Sequence, residues 1–225
     1  NKMNKTMNKV ILCILLAGIM LTSCADNGKK AEAKEAQKLK TTETTNTTNY
    51  KTVKEESKIE WRASHLGGVQ KRFGRVSIKD ASFSAIESEL VNANVTIDMK
   101  TLTVENFPVD APEKAKLTGH LKSADFFNVE QYPTSKFELT KLEPSKGDFN
   151  TKLTGNLTIL NETKSISFLA NVSVFQNDIT IDSEDFAVDR THWGLSYNTE
   201  GTAGVPVDFL ISNDIGFSIN VTVSK

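Results

Sequence analysis

Apolar and polar residues alternate along much of the chain beyond residue 50, with the two-residue period of a β-strand. In the clearest run the apolar members share one face of the predicted strand; they are Val91, Ala93, Val95, Ile97 and Met99. Similar runs predict strands at 137–142, 153–160, 166–174, 179–188 and 215–223, with 50–62 and 72–85 as the first two. The pattern therefore predicts an all-β domain of about eight strands.

Short polar segments separate neighbouring runs at residues 146–148, 161–163 and 176–178. Turns of this length join antiparallel strands that follow one another in the chain. Eight such strands can close into a barrel, which removes exposed sheet edges. Residues 101–133 break the alternation, and Pro112 is placed to start one or two helical turns that end near Asp125. We expect this short helical insertion to cap one end of the barrel.

The first 24 residues have the layout of a secretory signal peptide, with an early group of lysines and an apolar run from Val10 to Met20. The ending Leu21-Thr-Ser-Cys24 resembles the lipobox of bacterial lipoproteins, which predicts cleavage before Cys24 and acylation of its thiol. An ordinary signal peptide or a short anchor is the alternative. Residues 25–49 hold one large aliphatic residue, Leu39, and we expect a disordered tether there, before a folded domain at 50–225.

Composition and charge exclude several classes of protein. The chain has 225 residues and a formal net charge of −1, which excludes a strongly basic nucleic-acid binder. Both cysteines, Cys13 and Cys24, lie near the start, so the folded part has no internal disulfide. Only one stretch is long and apolar enough to engage a bilayer, which excludes a protein with several membrane spans.

Catalytic motifs are scarce. The three histidines, His65, His120 and His192, lie far apart in sequence and lack the spacing of a zinc site. The chain has neither a nucleophile elbow nor a glycine-rich phosphate loop. We therefore expect no enzyme, no metal and no cofactor, with a histidine-based metal enzyme as a minor alternative.

An eight-stranded barrel has an interior that side chains fill or that holds one small ligand. A hydrophobic tail inserted there would gain roughly 0.8 kcal/mol for each buried CH₂ group. The alternation by itself leaves both options open, because inward apolar residues suit a dry core and a lipid site equally.

Several motifs together resemble the YceI-like family of secreted bacterial lipid-binding proteins. The most specific is the block from Leu117 to Phe127, which precedes Tyr132-Pro133 and Phe137. In chain order the others are Trp61-x-x-x-His65-x-Gly67, Phe73-Gly74-x-Val76, Val95-Thr-Ile-Asp98-Met-x-Thr101-Leu102, Thr154-Gly-Asn-Leu157-Thr-Ile-Leu160 and Arg190-Thr-His-Trp193-Gly194-Leu195. The resemblance spans about residues 51–224.

The resemblance implies an extended, lipocalin-like eight-stranded barrel with a long isoprenoid lipid, quinone-like or polyprenyl-like, along its interior. Members are usually free periplasmic proteins, whereas this chain carries a lipobox, a tether and an unusual segment at 201–208. We therefore expect a lipid-anchored envelope protein that faces the periplasm or the cell surface and transports or stores such a lipid. A structural lipoprotein with a packed barrel is the alternative, and homodimers are a further option.

The residues predicted to contact the ligand are the large apolar side chains of the matching segments. They are Phe83, Val95, Ile97, Met99, Leu121, Phe126, Phe127, Phe137, Phe168, Phe186 and Trp193. Phe126 and Phe127 are the preferred lid residues, because they follow the helical insertion. Arg190 is a candidate for a polar head group, and a structural ion pair or an exposed charge is the favoured alternative.

Overall fold

The computed structural model describes residues 27–39 and 46–225. In these residues the chain forms strands and a single α-helix. The strands are β1 Lys29–Lys30, β2 Lys34–Glu35, β3 Thr48–Tyr50, β4 Thr52–Val53, β5 Lys58–Ala63, β6 Arg72–Ile86, β7 Glu89–Val104, β8 Thr134–Pro144, β9 Thr151–Ile159, β10 Glu162–Val174, β11 Asp178–Ser183, β12 Phe186–Asp189 and β13 Asp214–Ser224; the helix is α1 Pro112–Lys122.

The sheet closes on itself as an antiparallel barrel. From β5 to β11, each strand pairs with the next one along the chain. The last of these, β11, pairs with β13, and β13 pairs with β5, which closes the barrel. The wall has eight positions, because β11 and β12 lie end to end along β13. The predicted all-β fold, with eight antiparallel strands and a short helical insertion, is confirmed.

The first predicted strand, 50–62, is interrupted. Its start divides into β3, which pairs with β6, and β4, which pairs with β13, before β5 pairs with both. The break lets Tyr50 turn inward, where it is 2% exposed.

A bulge also changes the predicted inward face of β7. Ala85 pairs with Leu90 but Ser84 pairs with Asn92, so Val91 falls at a register shift. Leu90 is buried at 6% exposure, whereas Val91 is half-buried. The expectation that Val91 shares the face of Ala93 is therefore wrong, because an extra residue reverses the alternation on one side of a bulge.

The helix α1 lies in the insertion between β7 and β8, as predicted. Pro112 stands at its first position, where a missing N–H costs nothing, and Glu113 lies in its first turn, where the helix dipole favours an acid. Three 3₁₀ turns occur in loops at this same end of the barrel; they are Leu66–Gly68, Arg190–Trp193 and Val207–Phe209.

The expected tether differs from the structure wherever residues 25–49 are described. Residues 27–39, named here the strap, cross the outside of the barrel: β1 pairs with β12 and β2 pairs with β10. These two edges are free because β10 and β11 pair only from Ala170 onward, so the strap satisfies main-chain groups that would otherwise lack partners. The expectation of disorder is wrong for residues 27–39, because it is based on the scarcity of large apolar side chains, whereas backbone pairing orders this segment.

Specific contacts fix the strap. Ala31 is 5% exposed and its N–H donates to the carbonyl of Ala187 at 2.7 Å. Asn156 exchanges two hydrogen bonds with the backbone of Gln37, at 2.9 and 2.7 Å. Lys30 Nζ lies 3.0 Å from Asp214 Oδ1, and this hydrogen bond raises the pKa of Lys30 above its ordinary value.

The predicted signal peptide, Cys24 and residues 40–45 lie outside the described residues. Within the described part of the chain, no helix has the length and apolarity needed to cross a membrane.

Candidate functional site

A cavity of about 450 Å³ occupies the barrel beneath α1. This volume lies within the range of roughly 300–1,000 Å³ that is usual for small-molecule sites. Its walls are inward-facing side chains of the barrel strands, because successive residues of a strand point to opposite faces. The lining is almost entirely apolar along the strands and becomes polar only beneath α1 and the neighbouring loops.

Ten of the eleven predicted ligand residues line this cavity. They are Phe83, Val95, Ile97, Met99, Leu121, Phe126, Phe127, Phe137, Phe168 and Phe186. Trp193 does not line the cavity: it is fully buried elsewhere in the core, and its indole N–H donates to the carbonyl of Leu157 at 2.9 Å. That hydrogen bond fixes the indole ring between the turn Arg190–Trp193 and β9, so the role of Trp193 is structural.

A row of four phenylalanine rings crosses one side of the cavity, from β8 to β13. Phe168 and Phe186 stack with centroids 4.5 Å apart and planes at 5°. Phe137 and Phe217 extend the row at 5.7 and 5.9 Å from their neighbours. Such ring pairs add to the energy of apolar burial and give the wall a rigid surface.

The position of the Phe137 ring depends on a glycine in the next strand. A Cβ added at Gly155 would lie 2.3 Å from Cζ of Phe137. The bare backbone of Gly155 therefore lets the ring lie flat over β9 and not project into the middle of the cavity.

The insertion covers part of the cavity through an aromatic cluster. The His120 ring on α1 packs edge-on against Phe126 and Tyr197, each at 5.0 Å between centroids. Phe126 and Tyr197 are 5.1 Å apart, so the cluster ties the insertion to the loop before β13. His120 Nε2 also lies 3.0 Å from Asp125 Oδ2.

The polar lining residues gather at the same end of the barrel, which we call the mouth. Arg72, Glu113 and Lys116 line the opening there, with His65 and His120. The Arg72 guanidinium lies over the ring of Phe107, 5.2 Å from its centroid. A ligand with an apolar tail and a polar head would match this gradient from the deep interior to the mouth.

Arg190 has a structural position. It is 2% exposed, and its guanidinium donates to four carbonyls, those of Leu195, Tyr197, Ile211 and Ser212, at 2.7–3.2 Å. Burial lowers the pKa of Arg190 from its ordinary value, while Asp189 and Glu200 oppose that shift. All three guanidinium nitrogens bond to the loop at 194–213, so Arg190 holds that loop in place while part of its side chain borders the cavity.

The three histidines do not form one cluster with other metal ligands. His65 and His120 line the mouth, whereas His192 is exposed beside Trp193. His65 Nδ1 lies 2.7 Å from the carbonyl of Asp208. Within residues 27–39 and 46–225, no group of three or more His, Cys, Asp or Glu side chains is arranged to hold a metal.

Sequence reasoning missed most of the residues of the cavity wall. The missed strand residues include Ile59, Trp61, Val76, Ala93, Leu102, Leu153, Leu157, Ile159, Ile166, Ile181, Phe217, Ile219 and Val221. Most continue the period-two pattern, so taking every inward position of each predicted strand would have found them. The mouth residues Arg72, Glu113 and Lys116 have no such signal in the sequence. Arg72 lies at the very start of β6, and tertiary packing decides which residues of α1 face the opening.

This chain is similar to known proteins in both sequence and structure. The family profile of the YceI-like domain matches residues 50–223. A UPF0312 protein of Pseudomonas paraeruginosa is 34% identical over 171 residues, which are 74% of this chain and 78% of that protein. UPF0312 proteins of Pseudomonas putida are 32% identical over 128 residues, and the match covers 54% of this chain and 60% of theirs.

Two solved structures share the fold. Burkholderia cenocepacia BcnA superimposes with a TM-score of 0.54 at 15% identity, covering 74% of this chain and 96% of BcnA. A polyisoprenoid binding domain from Saccharophagus degradans, implicated in plant cell wall breakdown, gives a TM-score of 0.54 at 11% identity, covering 79% and 99% of the two chains. At these identities the likeness establishes the architecture alone.

Proposed function

The chain belongs to the YceI-like family, and from that premise we propose that its barrel binds the chain of a long isoprenoid lipid, quinone-like or polyprenyl-like, for transport or storage in the cell envelope. The observation that carries the proposal is the apolar cavity, whose polar residues are confined to one end. The Saccharophagus degradans neighbour, described as a polyisoprenoid binding domain, supports the same ligand class.

The energetics favour a ligand with a large hydrocarbon part over a mainly polar one. Each CH₂ group removed from water contributes roughly 0.8 kcal/mol, so about ten groups offset much of an association cost of roughly 4–15 kcal/mol. The cavity wall offers such a chain the phenylalanine row on one side and aliphatic residues of β6 and β7, such as Val76 and Ile97, on the other. Binding of this kind makes and breaks no covalent bond.

The proposed orientation places the head group at the mouth. His65, Arg72, Lys116 and His120 offer hydrogen-bond donors there, and Glu113 offers a carboxylate. The tail then extends toward the far end of the barrel, where every lining side chain in the described part of the chain is uncharged.

The proposed location is the cell envelope, with acylated Cys24 as the anchor. The lipobox-like ending at Leu21–Cys24 supports this part of the proposal, and a single acyl chain would hold the protein only marginally where several hold it firmly. Mass spectrometry of the N-terminal peptide, after expression of the full chain in a bacterium, should find cleavage before Cys24 and added acyl mass. A free thiol at Cys24 would refute the proposed anchor and would leave the proposal of lipid binding in the cavity unaffected.

Lipid binding is tested by native mass spectrometry of the full chain extracted gently from membranes. We expect a bound mass in the range of polyprenyl lipids, and its loss in the variant Ile97→Trp, whose indole would fill the cavity. The matched control is Phe175→Trp, which changes an exposed ring in the turn after β10.

The outcome that defeats the proposal is the repeated absence of bound lipid together with no uptake of added polyprenyl phosphate. A variant Ile97→Trp that unfolds, with no lipid on the parent protein, would instead support a structural lipoprotein with a packed barrel.

A further inference from the structure

Exposed apolar side chains are concentrated around the mouth. Within the described residues the exposed large hydrophobics are Leu39, Val69, Phe73, Val109, Phe175, Val207 and Phe209. Five of these belong to the mouth end, and Val109 is the most exposed at 89%. Single exposed apolar residues are common on protein surfaces, so the notable feature is that five of these seven lie at one end of the barrel.

These five residues, named here the rim residues, lie on separate loops. Val69 and Phe73 flank the entry to β6, and Val109 precedes α1. Val207 and Phe209 form the ends of a 3₁₀ turn. That turn lies beside the turn Leu66–Gly68, since Leu66 N–H donates to the carbonyl of Leu210 at 2.9 Å and His65 contacts Asp208. The rim residues therefore form scattered points around an opening and not one continuous groove.

The preceding chain reaches the barrel at this same end. Asn27 donates from Nδ2 to the carbonyl of Asp214, the first residue of β13, at 3.2 Å. Its own carbonyl oxygen lies 2.5 Å from where a Cβ of Gly216 would stand. The far end of β13 is Ser224, eight residues beyond Gly216, or about 27 Å along an extended strand.

Chain length then limits the distance between the anchor and the mouth. Three residue steps separate Cys24 from Asn27, and an extended chain covers at most about 11 Å in that number. A lipid-modified Cys24 would consequently hold the mouth end of the barrel near the bilayer, because the strap ties Asn27 to the start of β13.

We propose that the rim residues insert into the surface of the bilayer that holds the anchor, so that the mouth opens directly onto the lipid. This inference rests on the proposed function for the anchor and for the molecule that passes the mouth. A bilayer is the occupant that fits, because it accepts apolar side chains at separate points without requiring a complementary shape. Arg72 and Lys116, which line the opening, would then lie at the level of the lipid phosphates.

The test measures the depth of single labelled positions. The full chain, carrying Cys13→Ser and one further cysteine, is reconstituted in vesicles of phosphatidylethanolamine and phosphatidylglycerol and labelled with an environment-sensitive fluorophore. The position tested is Val109→Cys, and the matched control is Phe175→Cys at the opposite end. The protein without an added cysteine gives the blank for any labelling of Cys24.

We expect the label at Val109 to show blue-shifted emission and strong quenching by lipids with a nitroxide near the headgroup, at a depth of roughly 5–10 Å. The label at Phe175 should remain in water. Replacing Val207 and Phe209 together by aspartate should reduce the quenching at Val109, whereas Phe175→Asp should leave it unchanged.

A water-exposed label at Val109, deeper insertion of Phe175, or failure of the protein to stay with the vesicles would each overturn the proposal. Polyprenyl uptake is measured on the same samples by native mass spectrometry. Retained uptake with a water-exposed label defeats docking alone, whereas a buried label without uptake defeats the proposed ligand and leaves docking intact.

Discussion

The two halves of the barrel are built from the same alternating strands, yet one is packed and the other is hollow. At the end away from α1, Ala85, Ala170, Ile179 and Val223 are fully buried, and none of them lines the cavity. From α1 to the neighbouring inward residues Ile181 and Val221, the same strands surround a space of about 450 Å³. The difference shows that alternation specifies an inward face but not what fills the interior.

Tyr50 is one of the buried residues that fill the closed end. The break between β3 and β4 directs it inward, and its hydroxyl donates to the carbonyl of Phe175 at 3.1 Å. Lys225 Nζ lies 5.7 Å from the centroid of its ring. Among residues 27–39 and 46–225, no side chain is inserted in the same way into the hollow half, which is instead covered by α1 and the loop that Arg190 holds. Stability is therefore expected to reside mainly in the closed half and ligand binding in the open half.

The largest expected effect compares one substitution in the two halves. Ile179→Ala should lower the free energy of unfolding by about 2–5 kcal/mol, because it leaves a void among tightly packed neighbours. Ile97→Ala should cost less than half as much, since its side chain already borders empty space. Urea unfolding of both variants checks this, and equal losses would contradict the division into packed and hollow halves.

Arg190 tests whether the cover of the open half needs its own support. Arg190→Met should lower the free energy of unfolding by about 3 kcal/mol, because buried carbonyls of the loop at 194–213 lose their donor. Arg190→Lys keeps the charge but loses the planar set of donors, so its free energy of unfolding should lie between those of the parent protein and of Arg190→Met. Unchanged stability with lost lipid binding would assign Arg190 to a head group instead.

The contact between Gly155 and Phe137 tests how firmly the cavity wall is set. Gly155→Ala should cost about 1–3 kcal/mol, because its new methyl group overlaps the ring. Combining it with Phe137→Leu should recover part of that loss in a double-mutant cycle. Additive losses of unfolding free energy would show that the Phe137 ring moves freely into the cavity and that the wall is not rigid there.

The smallest effect concerns the strap. Gly28 has φ +91°, and a Cβ there would lie 2.3 Å from the carbonyl carbon of Asp185. Gly28→Ala should therefore loosen the strap through left-handed strain of about 1–2 kcal/mol, and speed amide exchange at Ala31 roughly tenfold. Exchange in β13 should stay unchanged; if it accelerates equally, the strap is part of the barrel's cooperative unit.

The strands and the helix were predictable because each carries a local signal. Period-two runs such as 153–160 mark a strand, and Pro112 with Glu113 marks a helix start. The same runs placed most predicted ligand residues on the cavity wall, since inward position follows from the alternation alone.

The strap and the mouth could not be predicted in this way. Pairing of Lys29 and Lys34 with free strand edges involves only main-chain groups, which leave no pattern in the side chains. The bulge at Val91 and the inward turn of Tyr50 are set by register between distant strands. The size and apolar character of Trp193 predict a ligand contact, but its indole N–H donates to the buried carbonyl of Leu157.

The central claim, that the hollow half of the barrel holds a long hydrocarbon chain, is tested most directly by a crystal structure of the protein purified from its native host. The account predicts elongated electron density beside Ile97 and the phenylalanine row, with its wider end at the mouth near His120. Side chains that close together along the barrel axis and leave no continuous space would contradict it.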